Sequence, residues 1–424
     1  MVLLSRTSKA DPMAEMRHHT IMTWEHGHVR AAVLQLNEGT AEIMGVAAAP
    51  VHGIGSTNLP DVDRWYAGSE RALTQAEEMT AHSGSRKIVP DYVTMCIPSE
   101  VTRDLPITVS QRRRNAKRPI SLEEIASFLR RGYRTAQDRA QDQGYGASED
   151  IVCGCVTRFT VDGQSVLDPV GLYGEAIEVQ LCFFLAPVIW IRALEAVAGR
   201  LELALSSIVP HHMAYAAPLG EPEALMILLD EEHSLMALVC NGRIAWTARA
   251  PVGAEKILQG ATEDFNLSSP QHITLLMRAY RAGQLREDFE ETLARAFWRE
   301  LRQWMTALAE QARQVAPVQH FPPRLFFFDI PRAVPEARLS LETPFWERCL
   351  PFGRCPEVLE METSNVRNVL DWTSRAGGPA FLLLRSAAHH IARVYAPNHT
   401  LDRLLIEMIH WRRAASIHPS RRAR

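Results

Sequence analysis

The side chains able to do chemistry are scattered, and each set is read first on its own. The seven cysteines (Cys96, Cys153, Cys155, Cys182, Cys240, Cys349 and Cys355) are odd in number and irregular in spacing. That argues against a secreted disulfide framework and for a reducing compartment. Cys153-Gly154-Cys155 is a C-x-C, and no second pair stands at zinc-finger spacing, so no metal centre is expected. His26 and His28 flank a glycine, while His211-His212 and His389-His390 are adjacent pairs. Neighbours on a helix point about 100° apart, so neither pair chelates alone. Ser206-Ser207 and Asp162 show no histidine partner, and no hydrolytic triad is expected.

Two basic segments remain. Arg112-Arg113-Arg114-Asn115-Ala116-Lys117-Arg118 could form a nucleic-acid or lipid patch, but it lacks interleaved aromatics and reads as a solvated loop. In the last segment Leu401, Leu404, Leu405, Met408 and Trp411 recur at helical spacing, with Arg403, Arg412 and Arg413 beside them. An apolar face with an aromatic and a basic rim suits a headgroup interface, where each cation adds about 1 kcal/mol. The competing reading is a last helix that packs on its own domain.

These residues sit on a chain of 424, too long for one compact core. Its composition, 46% hydrophobic and 22% charged with a net charge of −3, is that of a globular protein without a chain-wide field for nucleic acid. The N-terminus shows no charged-then-apolar leader, and the most apolar window, Cys182 to Ile191, is about half a membrane span, so a cytoplasmic body is expected. Residues 1–17 read as a polar lead-in. Val29–Leu36 and Ala41–Ala48 read as strands around an Asn37-Glu38-Gly39-Thr40 turn, followed by a helix over 61–80 and a strand at Val93–Ile97. A helix starts at Ser121, with Glu124 completing a capping box. Strands over 152–159 and 177–184, helices over 188–201 and 210–217, and a three-strand meander over 224–248 with an Asn241-Gly242 turn come next. Residues 255–314 read as helical, 325–328 as a strand and 380–395 as a helix. Sheet-plus-helix patterning occurs before and after about residue 218, which predicts two related lobes.

The stretch Phe159-Thr160-Val161-Asp162-Gly163-Gln164, followed by Asp168-Pro169-Val170-Gly171-Leu172-Tyr173-Gly174 and the strand Ala176-Ile177-Glu178-Val179, resembles a segment of the FtsA family. There it belongs to the inserted 1C (SHS2-type) subdomain that sets FtsA apart from actin. Physically, Asp162-Gly163 makes a tight turn, Gln164 follows it, Pro169 stiffens the crossing, and Gly171 and Gly174 supply positive φ. Glu42–Val46, Arg71–Glu77 and Ile208–Pro218 resemble further elements of the family in the same order.

The resemblance implies a two-lobed actin-like (ribonuclease H-like) α/β fold. Lobe one would comprise 18–99 and 188–218, with the α+β insertion at 100–187. Lobe two would comprise 219–257 and 319–395, with a reduced helical 2B-like part at 258–318. The segment 400–424 would be an amphipathic, basic membrane-targeting helix like the one that ends FtsA.

The family binds ATP with magnesium through glycine-rich hairpins, whose amides approach the phosphates. The positions matching the first hairpin are Glu25, Gly27 and Arg30, with His28 in place of a small hydroxyl residue. The second hairpin becomes Asp230-Glu231-Glu232-His233-Ser234, whose carboxylates would face a triphosphate of the same sign. The third contact, a Gly-Gly, becomes Phe328-Asp329-Ile330-Pro331, and the adenine-side stretch His272–Met277 is mostly apolar. No catalytic residue and no cofactor are therefore expected, and the resemblance implies a pseudo-ATPase. As implied partners it gives the chain itself, division proteins such as FtsZ, and the inner face of the cytoplasmic membrane. FtsZ would lack its usual seat, because the 2B-like part is short. A PilM-like scaffold of type IV pilus assembly shares the fold and the insertion; an active actin-like ATPase or sugar kinase would need intact loops.

Overall fold

In the computed structural model, residues 18–417 are described except 26, 52–59, 82–85, 147, 266, 268, 316–319, 353, 355 and 397–399; for 264, 270, 400 and 411–417 only the backbone is considered. The predicted lead-in, His26 and Cys355 lie outside these residues. The chain forms two compact units. One runs to Gly220 and takes in Asn241–Arg243 and everything from Glu362; the other holds Glu221–Cys240 and Ile244–Met361.

The first unit opens with β1 (His18–Glu25), β2 (His28–Asn37) and β3 (Thr40–Pro50), a meander of mostly buried apolar residues. Its second turn places Glu38 and Gly39 at φ 43° and 89°, the left-handed pair that a two-residue hairpin requires. Helix α1 (Val62–Thr80) is capped by the Asp61 carboxylate, which accepts from Arg64 N. It packs on β3, where a Cβ at Gly45 would stand 1.9 Å from Ala76 O. Next comes β4 (Tyr92–Ile97), parallel to β1.

A second sheet follows, built from β5 (Arg103–Arg112), β6 (Glu149–Val161), β7 (Gln164–Ser165) and β8 (Ala176–Pro187) in the order β5-β8-β6-β7. Helix α2 (Leu122–Asp142) covers one face. Alternation in β5 sends Leu105, Ile107 and Val109 inward, where they meet Ile125, Phe128 and Leu129 of the helix. The outer strand β5 is blunted: Pro106 offers no N–H, and its carbonyl accepts from Arg139 at 3.0 Å. Helix α3 (Val188–Arg200), strand β9 (Ala204–Pro210), parallel to β4, and helix α4 (His211–Ala216) return the chain to the first sheet.

The second unit contains β10 (Ala224–Leu229), β11 (Ser234–Cys240), β12 (Arg243–Ala250, of which Arg243 itself falls in the first unit), helices α5 (Ala254–Thr262), α6 (Pro270–Arg281) and α7 (Glu287–Val315), then β13 (Arg324–Asp329), α8 (Glu336–Leu341), α9 (Pro344–Cys349) and β14 (Glu357–Glu360). Its sheet order is β12-β11-β10-β13-β14. Leu293, Phe297, Leu301, Trp304 and Leu308 line one face of α7 and fill the core over it.

The remaining elements are β15 (Val369–Asp371), α10 (Leu382–Tyr395) and α11 (Thr400–Ile417). They correct the expected lobe boundary: residues 362–395 belong with the first unit, because β15 pairs in parallel with β3 and α10 lies against β1, β2 and β3. The first sheet thus reads β15-β3-β2-β1-β4-β9. The meander is likewise divided, its Asn241-Gly242 turn going with the first unit. No helix among the described residues is long and apolar enough to cross a membrane.

Candidate functional site

The first candidate loop is the β1–β2 turn. Glu25 and His28 pair across it, and Gly27 adopts φ +67°, a conformation that favours glycine. The Glu25 carboxylate is already engaged. Its Oε1 accepts the Tyr215 O–H at 2.7 Å, and its Oε2 lies 3.5 Å from Arg30 Nη1, with both side chains of that pair only 9% exposed. Arg30 also lies over the Phe381 ring, 5.9 Å from its centroid. The Gly27 carbonyl accepts from Val51 N at 2.7 Å. Glu25, Gly27 and Arg30 do come together, but as a hydrogen-bonded set closed by Tyr215, a partner that sequence reading missed.

The second candidate loop joins β10 to β11 in the other unit. Asp230 N donates to His233 O at 2.9 Å, and the Asp230 carboxylate accepts from Glu231 N. The loop's carbonyls consume donors at the start of α5: Ala254 N reaches Asp230 O at 2.8 Å and Glu255 N reaches Glu231 O at 2.9 Å. Gly253 permits this approach, because a Cβ there would stand 2.3 Å from Glu231 O. The helix-start amides that can cradle an anion are thus bonded to backbone.

At the end of β13, Asp329 accepts from Ala333 N (3.3 Å) and Val334 N (2.9 Å). Burial raises its carboxyl above the ordinary value against those two bonds. In the stretch matched to the adenine contact, Ile273 and Met277 of α6 are buried in the unit's core.

The Asp-Gly-Gln segment is a structural knot. Asp162 and Gly163 turn with φ 50° and 79°, and Asp162 Oδ1 accepts from Glu175 N (2.9 Å) and Ala176 N (2.7 Å). Gln164 pairs with Val161, and Pro169 is buried at the foot of the loop. Gly171 has the expected positive φ, 83°. Gly174 does not; glycine is needed there because a Cβ would stand 2.3 Å from Val161 Cγ1. In the basic run Arg113 is buried, donating to both Glu124 oxygens (2.8 and 2.9 Å) and to Gly174 O (3.0 Å). Ser121 caps α2 through Glu124 N, while Glu124's carboxylate pairs with Arg113 instead of closing a capping box.

The assignment of the C-terminal apolar face to a membrane is corrected. Leu405 and Ile409 are 0% and 2% exposed in the core of the second sheet, and Leu401, Leu404 and Met408 pack against the same core. Helix α11 runs along β6, the strand that β7 covers only at one end. The side chains of Trp411, Arg412 and Arg413 lie outside the described residues. Ser206 and Ser207 also gain a histidine. His19 Nε2 is 2.9 Å from Thr94 Oγ1, which is 2.8 Å from Ser207 Oγ, and Ser206 Oγ is 3.4 Å from the same nitrogen. The group spans β1, β4 and β9, and burial holds His19 at a pKa of about 3. His19 is fully buried and its Nδ1 meets no partner among the described residues, so the arrangement is a polar rung of the sheet rather than an activated nucleophile.

No protein family matches this sequence, and no curated protein is detectably similar to it. Among solved structures, a chain of the PilM-PilN type IV pilus biogenesis complex is similar over 88% of this chain and 98% of its own, with 12% identity and a TM-score of 0.56. EutJ, an ethanolamine utilization protein of Carboxydothermus hydrogenoformans, covers 88% of this chain and 89% of its own at 10% identity and TM-score 0.43. A Bacteroides thetaiotaomicron protein with actin-like ATPase fold covers 89% and 99% at 9% identity and TM-score 0.37. The likeness to the pilus protein, with the sheets described above, establishes a two-lobed actin-like α/β fold for this chain.

Proposed function

We propose that this chain is a scaffold that works by binding protein partners and neither holds nor hydrolyses nucleotide. The observation that carries the reading is the state of the β10–β11 turn. Three consecutive acidic residues stand where the fold's nucleotide-binding members place glycines, and the neighbouring α5 amides are bonded to the turn itself. Like charges against a triphosphate cost several kcal/mol in a poorly solvated site. The engagement of Glu25 by Tyr215 and Arg30 supports the same reading.

The setting that fits is a bacterial envelope assembly, with the protein peripheral at the inner face of the membrane. Of its two forms, a pilus-type scaffold with a PilN-type partner is supported by the likeness over nearly the whole pilus protein and by a C-terminal helix folded onto its own sheet. The FtsA-type division adaptor is supported by the segments Asp162-Gly163-Gln164 and Pro169-Val170-Gly171. Titration calorimetry with magnesium ATP tests the pseudo-ATPase claim: no saturable heat is expected, and micromolar binding would end it. Co-purification with FtsZ or with a PilN-type protein decides between the two forms.

A further inference from the structure

We propose that one end of the four-stranded sheet is a docking surface for an anionic phospholipid bilayer. The inference draws on the peripheral location proposed above for its choice of occupant; the surface itself is read from side chains. At that end the β7–β8 loop exposes Leu167, Val170, Leu172 and Tyr173, with Leu167 84% and Tyr173 64% accessible. Beside it Arg112, Arg114, Lys117 and Arg118 are all exposed. The two loops form one body: Ile120 N donates to Leu172 O (2.8 Å), Gly171 N to Ile120 O (2.9 Å), and Arg113 N to Glu175 O (2.7 Å). The aromatic that the basic run lacks in sequence is supplied by its neighbour in space.

The same end of the sheet carries an open depression of about 540 Å³, lined among others by Ser110, Arg112, Arg158, Thr160 and Glu178. Two guanidiniums with hydroxyl neighbours suit the phosphate of a lipid headgroup. Of the nearby carboxylates Glu124 is ion-paired with Arg113, while Asp162, Asp168 and Glu178 accept hydrogen bonds from Glu175 N and Ala176 N, from Val170 N and from Gln180 and keep their charge, as does the exposed Glu175; the cations therefore face the bilayer as a local cluster rather than as a net-positive field. Exposed apolar side chains in a patch of this kind mark an interaction site. Apolar prongs flanked by cations match the headgroup boundary, where acyl contact and anionic charge lie a few ångströms apart. The contact does not use the described part of the C-terminal helix, where Leu401, Leu404, Leu405, Met408 and Ile409 pack on the core of the second sheet.

The test is co-sedimentation of the full chain with vesicles of phosphatidylcholine alone and of phosphatidylcholine mixed with phosphatidylglycerol. Binding is expected to the mixed vesicles only, and to weaken with added salt. Leu167→Ser with Tyr173→Ser should reduce it tenfold or more. Arg114→Ala with Lys117→Ala should cost roughly fivefold per cation removed at low salt. All four positions are exposed, and unchanged melting of the variants confirms folding. No binding to anionic vesicles, or equal binding by the variants, overturns the proposal. If the full chain ignores anionic vesicles yet still co-purifies with a protein partner, the lipid surface falls while the scaffold reading stands.

Discussion

Arg243 Nη2 lies 2.6 Å from Oδ2 of Asp402, and the two side chains are only 15% and 5% exposed. Arg393, half-buried, adds a second guanidinium facing that carboxylate and donates to the carbonyls of Ala217, Asn241 and Gly242. The start of the C-terminal helix is therefore fastened by charge before its apolar face contributes. Burial works against an ionised Asp402, but Arg243 and Arg393 outweigh it and hold the carboxyl below its usual value. Removing it by Asp402→Ala leaves two half-buried cations without their carboxylate and should destabilise by about 3 kcal/mol. The double variant Arg243→Met, Asp402→Leu should lose much less. Urea unfolding measures both, and equal losses would refute the ion-pair account. A carboxyl lowered by folding stabilises above its unfolded pKa, about 3.9; that stabilisation disappears as pH falls through the folded value.

Helix α11 should behave as part of the core. Leu405→Ala removes a side chain that is 0% exposed and should cost about 2–5 kcal/mol. Arg403→Ala breaks only the partly exposed i,i+4 contact with Glu407 at 3.8 Å and should stay within about 0.5 kcal/mol. A helix reserved for membrane would show no cost at Leu405.

The sequence disclosed most of what has strong periodicity or a defined turn. The Asn37–Thr40 turn, the Asp61 start of α1, the meander over 224–250 and the helical stretch from 255 to 314 all stand where the pattern put them, give or take a residue or two. Elements carrying polar residues were hidden. Strand β1 begins His18-His19-Thr20, and β5 alternates its apolar residues with Asp104, Pro106, Thr108 and Ser110, which reads as loop until a helix covers one face. β14 and β15 are too short for any period to show. At the candidate site, the loops could be read one residue at a time. The closing partner Tyr215, 190 positions from Glu25, could not, because nothing local announces a long-range hydrogen bond. The C-terminal stripe was legible as amphipathic, but periodicity says only that a face is buried, not whether lipid or protein buries it.

Buried imidazoles should set the onset of acid lability. His390 is 2% exposed, and neither ring nitrogen has a hydrogen-bond partner among the described residues. Burial first, then Arg393, His389 and Arg243, hold its pKa at about 3 against the opposing pull of Asp402. His19 is held at about 3 by burial. Between pH 3 and about 6.5 the unfolded chain binds protons that the folded chain refuses, so stability falls as pH is lowered through that window. The slope approaches about 1.4 kcal/mol per pH unit for each histidine. His390→Leu should flatten the Tm profile between pH 6 and 4, as calibrated by scanning calorimetry at about half-unit intervals. An unchanged profile would show that His390 is not the group responsible.

Gly253 is predicted to be intolerant. A Cβ there meets Glu231 O at 2.3 Å and Glu232 C at 2.4 Å, and both are backbone atoms that cannot swing aside. Gly253→Ala should therefore separate α5 from the acidic turn, break the Ala254 and Glu255 bonds, and cost about 1–3 kcal/mol. Gly199→Ala, in the last turn of α3 with open space where the Cβ would go, should be neutral or slightly stabilising. A comparison of the two midpoints in urea is the measurement, and similar midpoints would mean that the turn is not docked.

Arg113 should be irreplaceable by lysine. Its guanidinium, 4% exposed, makes two parallel bonds to Glu124 and a third to Gly174 O, so it ties the start of α2 to the end of the β7–β8 loop. An ammonium can reach one acceptor with good geometry but cannot reproduce the fork. Arg113→Ala should cost about 2–3 kcal/mol, and Arg113→Lys should recover less than half of that. Amide exchange over Val170–Gly174 should quicken in both, because Gly171 N and Leu172 O depend on Ile120 being held in place. Full recovery by lysine would mean that a point charge suffices and that the loop is positioned by Pro169 and the Asp162 turn alone.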